Sequence, residues 1–282
     1  MSRAFFTVDV EDWFQVENLK GAIERKNWAY YELRVVNNTR KLLKLLRKYN
    51  IKATFFVLGW VAERVPQLIL EIYQEAHEIA SHGYSHISLY EMTADRFRDD
   101  IAKSKKILEA IIDAPIYGYR APNFSITDWA IEILREEGFR YDSSFYPTSV
   151  KYRRYGFLNL EDFENIDKYG VYVNSKGFYE FPVSSLNILN LAIPWGGGAY
   201  FRILPLSIFK IGVKRIITQK NYYNFYIHPW EFDPKQPRVN GLPAIAKFKH
   251  YYGLSKTEDK LKQFLNWFKF MRIIDFISKI EG

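Results

Sequence analysis

The sequence predicts an α/β fold, a parallel sheet curled into a distorted (β/α) barrel. Short apolar runs alternate with amphipathic stretches along the chain, the pattern of strands joined by helical crossovers. A chain of 282 residues, 48% of them hydrophobic, fills one barrel-sized core, and over this length a closed or nearly closed barrel is favoured above an open sheet. Asp9, His82, Arg120 and His228 each stand at the end of an expected strand, where α/β barrels gather their chemistry.

Ala4–Val10 is the first expected strand. Asn37–Tyr49 (NNTRKLLKLLRKY) puts Leu42, Leu43, Leu45 and Leu46 on a helical stripe. Ala53–Leu58 (ATFFVL) is a buried strand, a helix follows Pro66, and His77–Ser81 is a short strand. Thr93–Ile112 is a long helix with Ile101, Ile107, Leu108, Ile111 and Ile112 inward. Ile116–Tyr119 is a strand, and Ser125–Glu137 a helix with Ser125 and Asp128 at cap spacing and Gly138 as its stop. Tyr222–Ile227 is another strand, and Ser255 with Glu258 forms a capping box for a helix running towards Phe268. With no repeat, low-complexity tract or Gly/Ser linker, residues 1–282 are expected to form a single domain.

Composition narrows the class. No stretch reaches the roughly 18 uninterrupted apolar residues of a membrane span. Acidic residues enter MSRAFFTVDVEDWF too early for a signal peptide, and Cys is absent, which removes disulfides and thiolates from consideration. A cytoplasmic location is the resulting expectation. The net charge is +8, and residues 201–282 hold 15 Lys+Arg against 6 Asp+Glu. Such a surplus suits an anionic partner, a nucleotide or lipid diphosphate or a membrane surface, although a solvated lysine-rich face is the simpler account. The basic stretches Leu206–Lys220 and Phe264–Lys279 are amphipathic enough to rest on an anionic bilayer. No nucleic-acid-binding motif accompanies the charge, so nucleic acid is not an expected partner. The sequence is silent on oligomeric state.

Five histidines are present, and two form His82-Gly-Tyr-Ser-His86, a spacing that lets two imidazoles reach one ion from a helix or tight loop. Gly83 stands where a zinc protease would carry Glu, so that chemistry is disfavoured. A carboxylate from elsewhere would complete the site and leave positions open for water. Asp9-Val10-Glu11-Asp12 places three carboxylates in four positions at a strand end, where they repel unless a cation or hydrogen bonds compensate. Gly196-Gly-Gly-Ala-Tyr200 lacks the Lys-Ser/Thr of a phosphate loop and reads as a loop where backbone approaches the substrate.

Taken in order, these segments resemble the polysaccharide deacetylases, the NodB-homology carbohydrate esterases, across nearly the whole chain. Thr7-Val8-Asp9-Val10-Glu11-Asp12 resembles their T-F-D-D-G motif, and His82-Gly-Tyr-Ser-His86 their H-[ST]-x-x-H, with Gly83 as a departure. Arg120-Ala-Pro-Asn-Phe124 resembles R-x-P-[YF] with one residue inserted, Tyr141-Asp142-Ser143-Ser144 occupies the place of the fourth motif, and Tyr226-Ile227-His228 resembles L-x-H. The runs Asp9-Val-Glu-Asp-Trp-Phe14 and His228-Pro-Trp-Glu231 are similar to a branch associated with exopolysaccharide and cell-surface glycan gene sets.

The resemblance implies a barrel of the NodB-homology type with family-specific elements from about residue 205. It implies hydrolysis of the N-acetyl group of a sugar in a polysaccharide, glycan precursor or lipid-linked saccharide. One divalent ion, zinc first among candidates, is implied on His82 and His86 with Glu11 or Asp12. Members with D-x-D map the base onto Asp9 and the ligand onto Glu11, and strand alternation aims those two together and Asp12 away. Asp9 is then the general base, His228 the general acid, and Arg120 the partner holding Asp9 ionised. Trp13, Trp195, Tyr200 and Trp230 offer flat faces for a pyranose, and Pro122 and Asn123 join them as substrate contacts. Two rival readings stay open: a metal-independent amidohydrolase similar to the allantoinase-like branch, and a noncatalytic glycan-binding protein.

Overall fold

The first strand, β1 (Arg3–Val10), is buried on both faces, and its alternation decides the architecture. Phe6, Val8 and Val10 join the larger core under the surrounding helices, whereas Phe5 joins a separate cluster within the curl of the sheet. The computed structural model describes residues 3–147, 155–166, 170–189 and 191–282.

After β1 come α1 (Val35–Lys48), β2 (Thr54–Val57), α2 (Gly59–Arg64), α3 (Pro66–Gln74), β3 (Glu78–Ser81), α4 (Ala94–Ile112), β4 (Gly118–Tyr119), α5 (Asp128–Glu136) and β5 (Tyr141–Asp142). The chain then forms β6 (Phe163–Asn165), β7 (Tyr172–Asn174), β8 (Tyr179–Glu180) and a hairpin of β9 (Ser185–Ile188) and β10 (Leu191–Pro194). It finishes with α6 (Gly198–Ile203), α7 (Leu206–Lys220), β11 (Tyr222–Ile227), α8 (Ala244–Tyr251), α9 (Thr257–Phe264), β12 (Phe270–Met271) and α10 (Ile273–Glu281).

Strands β11, β1, β2, β3, β4, β5 and β8 pair in parallel in that order, and β7 and β6 extend the sheet antiparallel. The curl is drawn together by scattered bonds rather than a continuous ladder, among them Tyr226 N–H to the Gly196 carbonyl at 2.8 Å. Asn224 of β11 donates through Nδ2 to the carbonyls of Phe181 (3.1 Å) and Pro182 (3.3 Å), and its backbone N–H to Ser184 Oγ (2.8 Å). The result is the distorted barrel expected from the alternation of elements. Helix α10 packs Ile273, Phe276 and Ile277 against Phe5, Phe56, Tyr141, Phe181 and Tyr222. Phe276 meets Phe5 and Phe181 edge-on at 5.7 Å each, and burying such a ring stabilises by about 1.5–3 kcal/mol.

Three expectations about ends need correction. Ser125 does not cap the fifth helix, which begins at Asp128 behind Thr127. Its hydroxyl instead donates to the Pro122 carbonyl and accepts from Leu89 N–H, tying two loops together. Ser255 and Glu258 form no capping box, because Ser255 already lies in a 3-10 turn, Leu254–Lys256, and lacks the extended backbone a cap requires. Phe264–Lys279 is not one amphipathic element: a helix ends at Phe264, β12 lies beside β1, and α10 buries its apolar face in the core. Among the described residues no helix is long and apolar enough to cross a membrane.

Candidate functional site

Strand alternation carries Asp9 and Glu11 together to the C-terminal mouth of the barrel, both buried. Asp12 faces the other way. Its carboxylate accepts from the backbone N–H groups of Trp13 (2.8 Å), Arg34 (2.7 Å) and Val35 (2.9 Å), and so secures the start of α1. Burial pushes the Asp12 carboxyl up to about 6 even against those donors. The structure therefore corrects Asp12 as a candidate ligand.

Residues 83–86 form a tight loop above β3 rather than a helix. Gly83 sits at φ +70°, and a Cβ there would come 2.9 Å from Asp100 Oδ2, which accounts for glycine in place of Ser or Thr. Asp100 of α4 holds the loop by accepting from Tyr84 N–H (2.7 Å) and Ser85 N–H (3.1 Å). His82 Nδ1–H donates to the Arg120 carbonyl at 2.8 Å, leaving its Nε2 lone pair free. Burial holds the His82 pKa down at about 4, so the ring is neutral. His86 Nε2 lies 2.8 Å from Glu11 Oε2. Burial alone would raise Glu11, but His86, His228 and His82 bring it down to about 2. Ligating atoms of Glu11, His82 and His86 all lie within 4.8 Å of one another. Two imidazoles with an ionised carboxylate fit a first-row divalent ion.

Arg120 is fully buried, and every polar contact it makes positions another group. It donates to Asp9 Oδ1 (2.7 Å), Thr7 Oγ1 (2.8 Å), the Ser143 carbonyl (2.8 Å) and Ser143 Oγ (2.8 Å). One Asp9 oxygen is thereby engaged and the other, Oδ2, faces His228 Nε2 at 3.8 Å. His228 leads into the 3-10 turn Pro229–Phe232, and its Nδ1 pairs with Glu231 Oε1 at 2.8 Å. Burial opposes protonation of His228, yet Glu231, Glu11 and Asp9 together lift its pKa to about 9. Glu231 in turn forms a buried ion pair with Arg202 Nε at 2.5 Å.

Asp9, Glu11, His82, His86, His228 and Glu231 line one solvent-open cleft, with Arg120 buried behind them. Of the expected substrate contacts, Asn123 and Trp230 reach it. Trp230 stacks between His228 and His250 and donates through Nε1 to Glu11 Oε1 at 3.1 Å, so it also orients a candidate ligand. Trp13, Trp195, Tyr200 and Pro122 do not line the cleft. Trp13 is buried against Phe14 and Tyr31 with its N–H on the Glu32 carbonyl, and Trp195 stacks on Phe209. Tyr200 leans on Trp195, and Pro122 is buried in the turn that orients Asn123. In the glycine run, Gly198 and Ala199 reach the cleft, but a Cβ on Gly197 would lie 2.0 Å from the Tyr226 carbonyl, so close packing on β11 explains that glycine. Glu17, Tyr155 and Arg202 also line the cleft without a sequence signal, whereas Glu231 was legible at i+3 from His228.

Glu11→Gln is expected to weaken metal binding by at least about tenfold, while Asp12→Asn leaves affinity within a few-fold and lowers stability by about 1 kcal/mol. Calorimetric titration of zinc into the chelator-treated protein separates the two. A site emptied by Asp12→Asn alone would overturn the assignment.

Comparison with known proteins adds lineage to geometry. Residues 28–141 match the family described as polysaccharide deacetylase, and residues 143–278 match a domain of unknown function, DUF3473. A Bacillus cereus peptidoglycan-N-acetylglucosamine deacetylase is 32% identical over 37% of this chain and 44% of its own. A Helicobacter pylori peptidoglycan deacetylase is 35% identical over 37% of this chain and 36% of its own. The match thus spans less than half the length of these relatives. Among solved structures, a putative polysaccharide deacetylase from Mycobacterium smegmatis aligns over 99% of this chain and 90% of its own, with TM-score 0.62 and 19% identity. A CE4 family pseudoenzyme from Bacillus anthracis aligns over 98% of this chain and 66% of its own, with TM-score 0.51 and 13% identity. The fold alone therefore does not separate enzyme from pseudoenzyme, and that weight falls on the residues at the mouth.

Proposed function

We propose that this chain, whose residues 28–141 match the polysaccharide deacetylase family, is a divalent-metal-dependent hydrolase removing an N-acetyl group from a sugar. The observation that carries the reading is the gathering of Glu11, His82 and His86 beside an Asp9 carboxylate with one oxygen facing His228, which Glu231 holds through Nδ1. The substrate class is an N-acetylated sugar within a polysaccharide, glycan precursor or lipid-linked saccharide.

Glu11, His82 and His86 would hold the ion, zinc being the best match to this donor set. When bound, such an ion polarises the acetyl carbonyl and acidifies water. Asp9 takes the proton of the attacking water through Oδ2, since Arg120 occupies Oδ1 and fixes the orientation of the carboxylate. His228 carries its acidic proton on Nε2, because Nδ1–H is committed to Glu231. That proton passes to the nitrogen as the C–N bond breaks, so the sugar leaves as a neutral amine and acetate remains. Asn123, Tyr226 and Trp230 surround the space a pyranose would fill.

Acetate release from a panel of N-acetylated oligosaccharides, with and without chelator, tests the proposal. Release that chelator abolishes and zinc restores is the expected result. Release indifferent to chelator would favour the metal-independent reading, and no release from any substrate would favour a noncatalytic binder.

A further inference from the structure

Between residues 181 and 256 the chain carries ten Lys and Arg but only two acids, Glu231 and Asp233, and both acids are buried. The surface made by this stretch therefore presents cations without a countercharge of its own. Elsewhere the pattern differs: Arg40, Arg47, Arg98 and Arg140 each pair with a glutamate. Lys214, Arg215, Lys247 and Lys249 pair with no carboxylate among the described residues.

The same stretch holds most of the large exposed apolar side chains. On α7, Phe209, Gly212, Val213 and Ile216 turn into the core, leaving Ile208 and Ile211 outside at 48% and 67% exposure beside Lys214 and Arg215. On α8, Ile245 and Phe248 stand one turn apart, 70% and 50% exposed, with Lys247 and Lys249 interleaved. The β9–β10 hairpin, which packs on α7, leaves Leu189 90% exposed near its tip. These elements adjoin: Pro205, at the start of α7, and Tyr252, at the end of α8, line one hollow together with Lys256 and Lys260. Helix α6 connects this face to the catalytic cleft through Gly198, Ala199 and Arg202.

We infer that the face built from α7, α8 and the β9–β10 hairpin docks on an anionic lipid bilayer and holds the mouth of the barrel against it. Bulky aliphatic side chains interleaved with unpaired cations suit the boundary between headgroups and acyl chains, where both kinds of group find partners. A nucleic acid or acidic glycan would satisfy the cations but leave Leu189, Ile208, Ile211 and Ile245 in water. The inference stands apart from the deacetylase reading, since it needs only this surface.

Cosedimentation of the full chain with vesicles of phosphatidylcholine alone, or with about 30 mol% phosphatidylglycerol, provides the test at low salt. Partition at least about tenfold stronger onto the anionic vesicles is expected, with loss in about 0.5 M salt. The triple variant Lys214→Glu, Arg215→Glu, Lys247→Glu should reduce partition on the order of a hundredfold. The triple variant Leu189→Ser, Ile211→Ser, Phe248→Ser keeps every charge and should still lose at least about tenfold. Unchanged circular dichroism and melting temperature in both variants would attribute the losses to the surface. Equal partition onto neutral and anionic vesicles would overturn the inference. So would a serine variant that binds anionic vesicles as the parent does, which would instead mark a general polyanion surface.

Discussion

Asp9→Asn is expected to stop acetate release on every substrate while the protein keeps its metal. The amide fills the same space and can still meet Arg120, but it cannot accept a proton from water. His228→Ala is also expected to keep the metal and to lose the roughly 10²–10⁴-fold typical of a missing general acid. The two variants part company on an aryl acetate, whose phenolate departs without protonation. The His228→Ala deficit should shrink there, whereas Asp9→Asn should show no such rescue, because water must still be activated. Initial rates on an N-acetylated oligosaccharide and an aryl acetate, with metal content measured alongside, decide it. Equal losses on both substrates with metal retained would show the division of labour to be wrong. The contrast is more informative than either knockout alone, since misfolding lowers both rates together.

How much of this was legible in the sequence depends on whether the deciding contact is local. The strand Tyr222–Ile227 is legible to the residue, and β1 to within one, because short runs rich in aromatic and β-branched residues leave few alternatives. Gly138 stops α5 with φ +79°, a conformation that local sequence announces. Alternation sufficed to aim Asp9 and Glu11 at one space. It was silent on the destination of Asp12, because the N–H groups of Arg34 and Val35 arrive only when α1 folds back over β1. Asp100 behind the His82–His86 loop was illegible for the same reason, lying on a helix that supplies no candidate ligand. The aromatic contacts were the weakest reading. With 18% of the chain aromatic, Trp13 and Trp195 had no local mark separating core from cleft, and they went to the core. The antiparallel pieces β6, β7 and the β9–β10 hairpin left no clear alternation, being short and exposed on much of their surface.

The Arg202–Glu231 pair yields the second large effect, on stability and on pH dependence. Arg202 is buried and donates to Glu231 Oε2 and to the carbonyls of Lys249 (2.7 Å), His250 (3.1 Å) and Tyr252 (2.5 Å), tying the end of α8 to the turn behind His228. Arg202→Met would strand a buried carboxylate and three carbonyls, a cost of about 3–5 kcal/mol. A fall in Tm on the order of 10 °C is the expected reading. Adding Glu231→Gln to Arg202→Met should recover part of that loss, because the stranded charge is gone. Glu231→Gln alone acts on His228. Burial lowers the His228 pKa, and the Glu231 bond with the Glu11 and Asp9 charges raises it to about 9, so removing the Glu231 charge lowers it. The general acid works only when protonated, so activity is lost as pH rises through that pKa, and the alkaline limb of kcat/KM should move to lower pH in Glu231→Gln. A bound dication lowers the starting value without changing the sign of the shift. Should the alkaline limb stay in place while stability falls, Glu231 would be a strut for the turn and not a positioning residue for His228.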